Sequence, residues 1–452
     1  MKTENKKTNK PIPEGWTVTT LVEATVFNYG KGLNTKNRAN GNVPVYGSNG
    51  ITGFHDVALI SEPGYIIGRK GTIGSIYYSK VPFYPIDTTY YLTSKDIKLN
   101  FNYFYYLFKT LNLNQLNSDS AVPGLNRNAL YLLSIIIPES LIEQQAIAAV
   151  LSSLDDKIEL LREQNETLEA IAQAIYKRWF VDFEFPVTEP KNSTPFKEGW
   201  QPKADGAVFN TLQLKGYKSS GGKMVESELG EIPERWRVGK IKDLIDILSG
   251  FAFSSSDFSK EGQYKLVTIK NVQDRYFNPQ TKDNLMKLPK KMPDYCILEL
   301  GDILISLTGN VGRICLVNGK DYLLNQRVAK LRAKNKNDNA FTYLLFLQNS
   351  IFSLIQNIAS GTAQQNLSPI QMKEIKIIIA DRKILDKFGI VTNKLIQKIK
   401  NNISQIQILS ALRDAMLPKL MSGKIRVPTT LAAEGCHTSL KKMDAECLKG
   451  EE

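Results

Sequence analysis

Two long amphipathic stretches constrain this chain more than anything else in it. From Glu143 to Phe180 the sequence EQQAIAAVLSSLDDKIELLREQNETLEAIAQAIYKRWF sets Leu151, Leu154, Ile158, Leu161, Leu168 and Ile175 on one stripe, with Asn165 and Ala172 on the same seam. Spacings of three and four mark a helix with one apolar face. At about 1.5 Å per residue such a helix runs roughly 54 Å. The pattern returns from Ile384 to Met421, where Leu395, Ile399, Asn402, Ile406, Leu409, Met416 and Leu420 keep the spacing. The offset that lays Leu154 on Leu395 also lays Ile158 on Ile399, Leu168 on Leu409 and Ile175 on Met416.

Two such helices either pack on each other or bury their seams separately, each in its own domain. Charge favours pairing. Residues 143–180 carry seven acidic and four basic side chains, and residues 381–426 carry three acidic and ten basic. Each exposed ion pair contributes little on its own. Asn165 and Asn402 interrupt the seams, one per helix; a buried polar residue there either sets register or stays solvated.

The rest of the chain repeats around these helices. IPEGW at 12–16 is echoed by IPERW at 232–236, and GTIG at 71–74 by GNVG at 309–312. In both copies the glycine turn joins two apolar, strand-like runs. NYFYYLFKTLNL from Asn102 predicts a buried aromatic helix, matched by FTYLLFLQNSIFSLI from Phe341. SAVPGLNRNALYLLSIIIP, ending at Pro138, predicts a loop, a short helix and a buried strand, and SGTAQQNLSPIQMKEIKIIIA from Ser360 matches it. The duplication is too long for a solenoid repeat. The expected architecture is α/β of mixed α+β type. A first domain at 1–142 leads into a helix at 143–185, and a linker at 186–227 follows. A second domain at 228–380 leads into a second helix at 381–426, with a disordered tail at 427–452.

Catalytic chemistry finds little support. GYKSSGGKM at 216–224 misplaces its glycine and puts Met224 where a phosphate-binding loop needs Ser or Thr. GRKGTIG precedes a strand-like run, whereas a dinucleotide fingerprint opens a helix. His55 and His437 are the only histidines, so histidine-based acid–base work and zinc binding are poorly served. No methyltransferase, helicase or nuclease signature occurs. Asp155 and Asp156 are read as solvated helix charge. Cys296, Cys315, Cys436 and Cys447 have no metal-site spacing and read as reduced thiols of a cytoplasmic protein. No uninterrupted apolar run is long enough to span a membrane. The net charge of +13 points to an anionic partner.

The Gly-rich turns carry residue types suited to duplex DNA. In the first domain these are Tyr46, Ser48 and Asn49; Arg69, Lys70 and Thr72; Asn126 and Arg127. In the second they are Lys270, Asn271 and Gln273; Asn310 and Arg313; Gln364, Gln365 and Asn366. Arginine forks onto guanine, Asn and Gln onto adenine, and lysine meets phosphate. For any one of them, an ordinary polar turn residue is the competing assignment.

VPVYGSNGITGFHD, GRKGTIG, SAVPGLNRNAL, EQQAIAAVLSSLDDKIELL and YKRWFVDFEFP, in this order, resemble the DNA-specificity subunit of type I restriction–modification systems. The likeness spans about residues 13–425. The second helix departs from it, opening DRKILDKFG where EQQ-x-I is expected. The resemblance implies two target-recognition domains, each reading half of a split DNA sequence, spaced by two antiparallel helices. It implies no catalysis or cofactor in this chain. Two modification subunits would bring S-adenosylmethionine to methylate adenine at N6, and restriction subunits would use ATP and magnesium. A silent cassette without partners, an enzyme in its own right, and a basic scaffold without sequence choice are the competing readings.

Overall fold

A computed structural model of the chain describes residues 12–111, 113–116, 124–187, 215–359 and 366–428. It divides into two compact units, residues 1–158 with 409–452, and residues 159–408. Gln364, Gln365, Cys436, Cys447, most of the 186–227 linker and all but Val427 and Pro428 of the tail lie outside the described residues.

In the first unit, Trp16–Thr20 pairs antiparallel with Ser134–Pro138. A four-stranded antiparallel sheet follows in the order Asn28–Tyr29, Thr89–Thr93, Gly64–Gly68, Ile76–Ser79. Gly50–His55, Val43–Gly47 and Tyr84–Pro85 form a three-stranded sheet. The aromatic helix is Phe101–Thr110, and Asn100 caps it by accepting the Tyr103 N–H at 3.0 Å. Tyr103, Phe104, Tyr106, Leu107 and Phe108 are buried, so its rings are core.

The second unit repeats the plan. Arg237–Lys240 pairs with Lys376–Ile379. The four-stranded sheet runs Ile245–Ser249, Val328–Ala333, Ile303–Ser306, Ile314–Leu316. A five-stranded sheet from Phe258–Ser259 to Ile297–Leu298 stands where the first unit has three strands. The stretch from Phe341 is two helices, Asn339–Phe346 and Asn349–Ala359, where one was expected. The Gln348 side chain bonds the Leu344 carbonyl at the break, and its backbone carbonyl accepts from Phe352 N–H to start the second helix.

The long helices are Leu141–Tyr176 and Arg382–Met421, and each contributes a segment to both units. The expected blocks at 143–185 and 381–426 are therefore divided. In the first unit Leu151 shares a core with Leu420 and Met421. Arg413 reaches Asp155 at 2.6 Å, and Arg426 reaches Glu143 at 2.7 Å. In the second, Ala172, Ile175 and Tyr176 share a core with Ile384, Leu385 and Phe388. Asn402 Nδ2 donates to Asn165 Oδ1 at 2.9 Å, so the two seam asparagines meet. Within each unit the partner residues run in opposite directions: the helices pair antiparallel. Apolar burial dominates, since one fully buried Leu or Ile contributes about 1.5–3 kcal/mol, more than an exposed ion pair.

The seam differs in detail from the expected one. Leu154, Ile158, Leu161, Ile175 and Ile399 are buried, while Leu168, Leu395, Ile406, Leu409 and Met416 are half-buried. On the second helix the buried line is Phe388, Thr392, Ile396, Ile399 and Asn402, because a helical period of 3.6 drifts against a seven-residue repeat. Asp155 is no free solvated charge. It accepts from the Tyr106 hydroxyl at 2.8 Å as well as from Arg413.

The first helix ends in a π-turn, Lys177–Val181, that buries Trp179 and Phe180. Phe180 packs edge-on against Phe388 at 4.8 Å, and Phe185 stacks on Trp236 at 5.1 Å. YKRWFVDFEFP is thus a packing motif that fastens this helix end into the second unit. No described helix is long and apolar enough to cross a membrane.

Asn402 is fully buried, and its Oδ1 has no partner among the described residues. Replacing Asn165 and Asn402 together by Leu should raise the thermal midpoint by a few degrees, on the order of 1 kcal/mol or more. Asn402→Leu alone, which strands the Asn165 amide, should not. Melting curves of the two variants check this.

Candidate nucleic-acid interface

In each unit a glycine hairpin stands beside the loop that opens a short helix. Gly71 and Gly74 in the first, and Gly309 and Gly312 in the second, have φ of +82°, +73°, +71° and +81°. Side chains other than glycine rarely adopt that backbone. The Leu125 N–H bonds the Arg69 carbonyl, and the Leu367 N–H bonds the Leu307 carbonyl, both at 2.8 Å. These bonds hold the loop against the hairpin in both units.

In the first unit the structure brings Arg69 and Arg127 together across the half-exposed Tyr29. Their guanidinium carbons lie 5.0 and 4.6 Å from its ring centroid. Each cation–π contact contributes about 0.5–1 kcal/mol at an exposed site. Arg69 also donates to the Asp87 carbonyl at 3.1 Å. Tyr90, packed beside Tyr29, has its hydroxyl pKa pushed up to about 12, first by burial and then by Tyr29, with Arg69 opposing. Lys70 and Thr72 are exposed at the turn, and Asn49 is exposed at a neighbouring one.

Two expected DNA contacts here, Tyr46 and Ser48, are structural, while Asn126 is exposed and uses its side-chain oxygen as a cap. Tyr46 is buried edge-on against Phe83. Ser48 is buried and donates to the Thr88 carbonyl at 2.5 Å. Asn126 caps the helix Arg127–Tyr131, accepting from the Asn128 and Ala129 N–H groups.

In the second unit Gln273, Asn310 and Arg313 form one cluster. The Arg313 guanidinium donates to Gln273 Oε1. With its oxygen turned toward the guanidinium, Asn310 accepts from Arg313 Nη2 at 3.1 Å. The arginine's donors are thus largely spent on the protein. Lys270 and Asn366 are exposed. Asn271 is not available to a ligand. It is 1% exposed, its Oδ1 accepts from the Thr268 N–H and hydroxyl, and its Nδ2 donates to the Asn278 and Gln280 carbonyls.

Arg69 and Arg313 do not occupy equivalent positions, although their turns correspond. Gly68 N–H bonds the Ser75 carbonyl as Ser306 N–H bonds that of Arg313, so Arg313 matches Ser75 and Arg69 matches Leu307.

The pattern of the type I restriction modification DNA specificity domain matches residues 13–170 and 233–405, most of the chain and both of its copies. The chain belongs to this family. Among similar proteins, the HindI specificity subunit of Haemophilus influenzae is 26% identical over 339 residues, 67% of this chain and 71% of that one. The MjaIX specificity subunit of Methanocaldococcus jannaschii is 28% identical over 370 residues, 80% of this chain and 77% of that one. A type I S subunit from M. genitalium, solved by crystallography, superposes with a TM-score of 0.55 at 17% identity, covering 92% of this chain and 97% of that one. Likeness at that identity concerns fold, and it agrees with two tandem mixed α/β domains and long helices.

In this specificity chain, sequence reasoning passed over Tyr29, on the short strand Asn28–Tyr29 just before Gly30, and Arg327, whose turn holds no glycine. Arg327 is exposed at φ +72°, a backbone that costs a non-glycine residue about 1–2 kcal/mol. Its side chain has no hydrogen bond or ion pair with another described residue. The NQR stretch it occupies resembles any polar turn; the signal lies in φ.

Asn271→Ala should lower the thermal midpoint, because each stranded buried group costs about 1–3 kcal/mol. The folded fraction should keep the wild-type choice among duplexes, as read by parallel melting and competition binding.

Proposed function

We propose that the chain is the sequence-reading, non-catalytic subunit of a type I restriction–modification complex. Each of its two domains takes one half of a bipartite duplex target, with the rim built by the glycine hairpin and the adjoining loop facing DNA. The single observation that carries this reading is the repetition of that hairpin-and-loop frame in both copies of a specificity-family domain. By count, residues 1–142 and 226–380 each carry an excess of basic over acidic side chains, which suits phosphate contact.

Two adenine-N6 modification subunits dock on the helix pair and supply S-adenosylmethionine, and restriction subunits supply ATP- and magnesium-dependent translocation and cleavage. The methyl transfer needs the adenine out of the stack. This chain's part is then to hold the flanking duplex in register while a partner subunit takes the base. The helices act as the spacer: a helix of roughly 54 Å spans about 16 base pairs at 3.4 Å each. The complex works in the cytoplasm, where its DNA is.

Competition binding by the assembled complex tests this. The target should win over unrelated duplex by about 10³-fold or more, on a background affinity that falls steeply with salt. Replacing residues 13–138 by the matching segment of another specificity chain should change one half of the target and leave the other. Equal affinity for all duplexes would instead identify a basic scaffold or a silent cassette.

A further inference from the structure

The backbone bonds that align the two hairpins also align everything around them. Gly30 N–H bonds the Thr89 carbonyl as Gly250 N–H bonds that of Val328, at 3.1 and 3.0 Å. Arg69 N–H bonds the Thr88 carbonyl as Leu307 N–H bonds that of Arg327, both at 2.9 Å. Asn126 and Ser368 cap the matching short helices. These pairs make Tyr29 equivalent to Ser249, Arg69 to Leu307, Arg127 to Pro369 and Thr88 to Arg327.

The same place on the fold is therefore built in two ways. In the first unit it is filled by Tyr29 with Arg69 and Arg127 both against its ring. In the second, Ser249, Leu307 and Pro369 stand where those three side chains would be. The space they vacate is a cleft of about 1000 Å³, also lined by Asn366, Ser368 and Arg327. Three positions lose aromatic or guanidinium groups, yet a guanidinium returns from a fourth, in the turn that leads into Val328–Ala333. Thr88 is absent from the residues with positive φ, whereas Arg327 is held there at +72°. An arginine kept at a backbone position that favours glycine, its side chain without a partner among the described residues, beside an open cleft with both polar and apolar lining, is placed for a ligand.

We propose that this shared rim is the base-reading position of both domains. Arg327 takes a guanine edge over the open cleft in one half-site, and the Tyr29-ordered pair Arg69 and Arg127 takes the corresponding position in the other. The inference rests on the DNA-reading function proposed above and assigns which residues discriminate. A guanidinium forks onto guanine O6 and N7 in the major groove, and the cleft gives the long side chain and the groove edge room to meet. Asn366 and Ser368 add an amide and a hydroxyl for the neighbouring base. The different construction of the two rims is what lets one chain read unlike half-sites.

The test uses the full chain assembled with its modification subunits. Arg327→Gly keeps the backbone and suits its left-handed φ, so the variant should melt no lower than wild type. Its discrimination at one guanine of one half-site should fall about ten-fold or more. Choice in the other half-site should be unchanged. Tyr29→Leu should do the converse, loosening discrimination in the opposite half only. If Arg327→Gly discriminates as wild type does, the assignment is wrong. It is equally overturned by a uniform loss for all duplexes with a salt slope reduced by about one, which marks a phosphate contact. A wild-type complex that itself shows no preference overturns the functional reading beneath it.

Discussion

Each long helix carries an apolar seam that it cannot bury alone, and the rest of the molecule depends on how that seam is covered. In each unit a segment of one helix lies antiparallel to a segment of the other, and the pair shares a core with a recognition domain. Trp16 joins this arrangement through Glu143, which accepts its indole N–H at 3.2 Å and is also bound by Arg426. Trp236 is held by ring packing against Phe180, Phe183 and Phe185, and its indole N–H has no partner among the described residues. The two copies thus solve one packing problem with different chemistry. The Asn165–Asn402 bond joins the two seams at one point through polar groups, amid otherwise apolar contact.

Much of this was legible in the sequence, because the strongest signals were periodic and occurred twice. The 3–4 spacing marked both helices, and the echo of IPEGW in IPERW marked equivalent turns: Trp16 N–H bonds the Pro13 carbonyl and Trp236 N–H that of Pro233. The glycine hairpins were legible because their φ requirement shows in residue type. The division of each helix between units was not, since helical periodicity says which face is buried and nothing about what covers it. The break at Gln348 escaped because the apolar pattern continues through it. Among the site residues, Tyr46, Ser48 and Asn271 misled because a polar side chain in a Gly-rich turn reads alike whether it faces solvent or satisfies buried backbone. Tyr29 and Arg327 were missed for the opposite reason. Their roles come from neighbours distant in sequence and from a backbone angle.

The rim illustrates how a duplicated domain diversifies. The hairpin, the capped short helix and the strand bonds are fixed by backbone hydrogen bonding, which tolerates side-chain change. Ser249, Leu307 and Pro369 replace Tyr29, Arg69 and Arg127 without disturbing that frame. The buried Asn271 and the hydrogen-bonded Asn310–Arg313–Gln273 cluster tie down the loops. They leave the exposed residues at the rim free to vary. Such a division between frame and contact suits the proposed reading of two unlike half-sites.

The central claim is that the two domains of one chain read the two halves of one target. Its most direct measurement is a genome-wide map of N6-methyladenine in cells that express this chain with modification subunits. The account predicts methylated adenines in a split motif whose halves differ and whose gap is constant. Methylation at a continuous motif, at halves separated by varying gaps, or at no preferred sequence would contradict it.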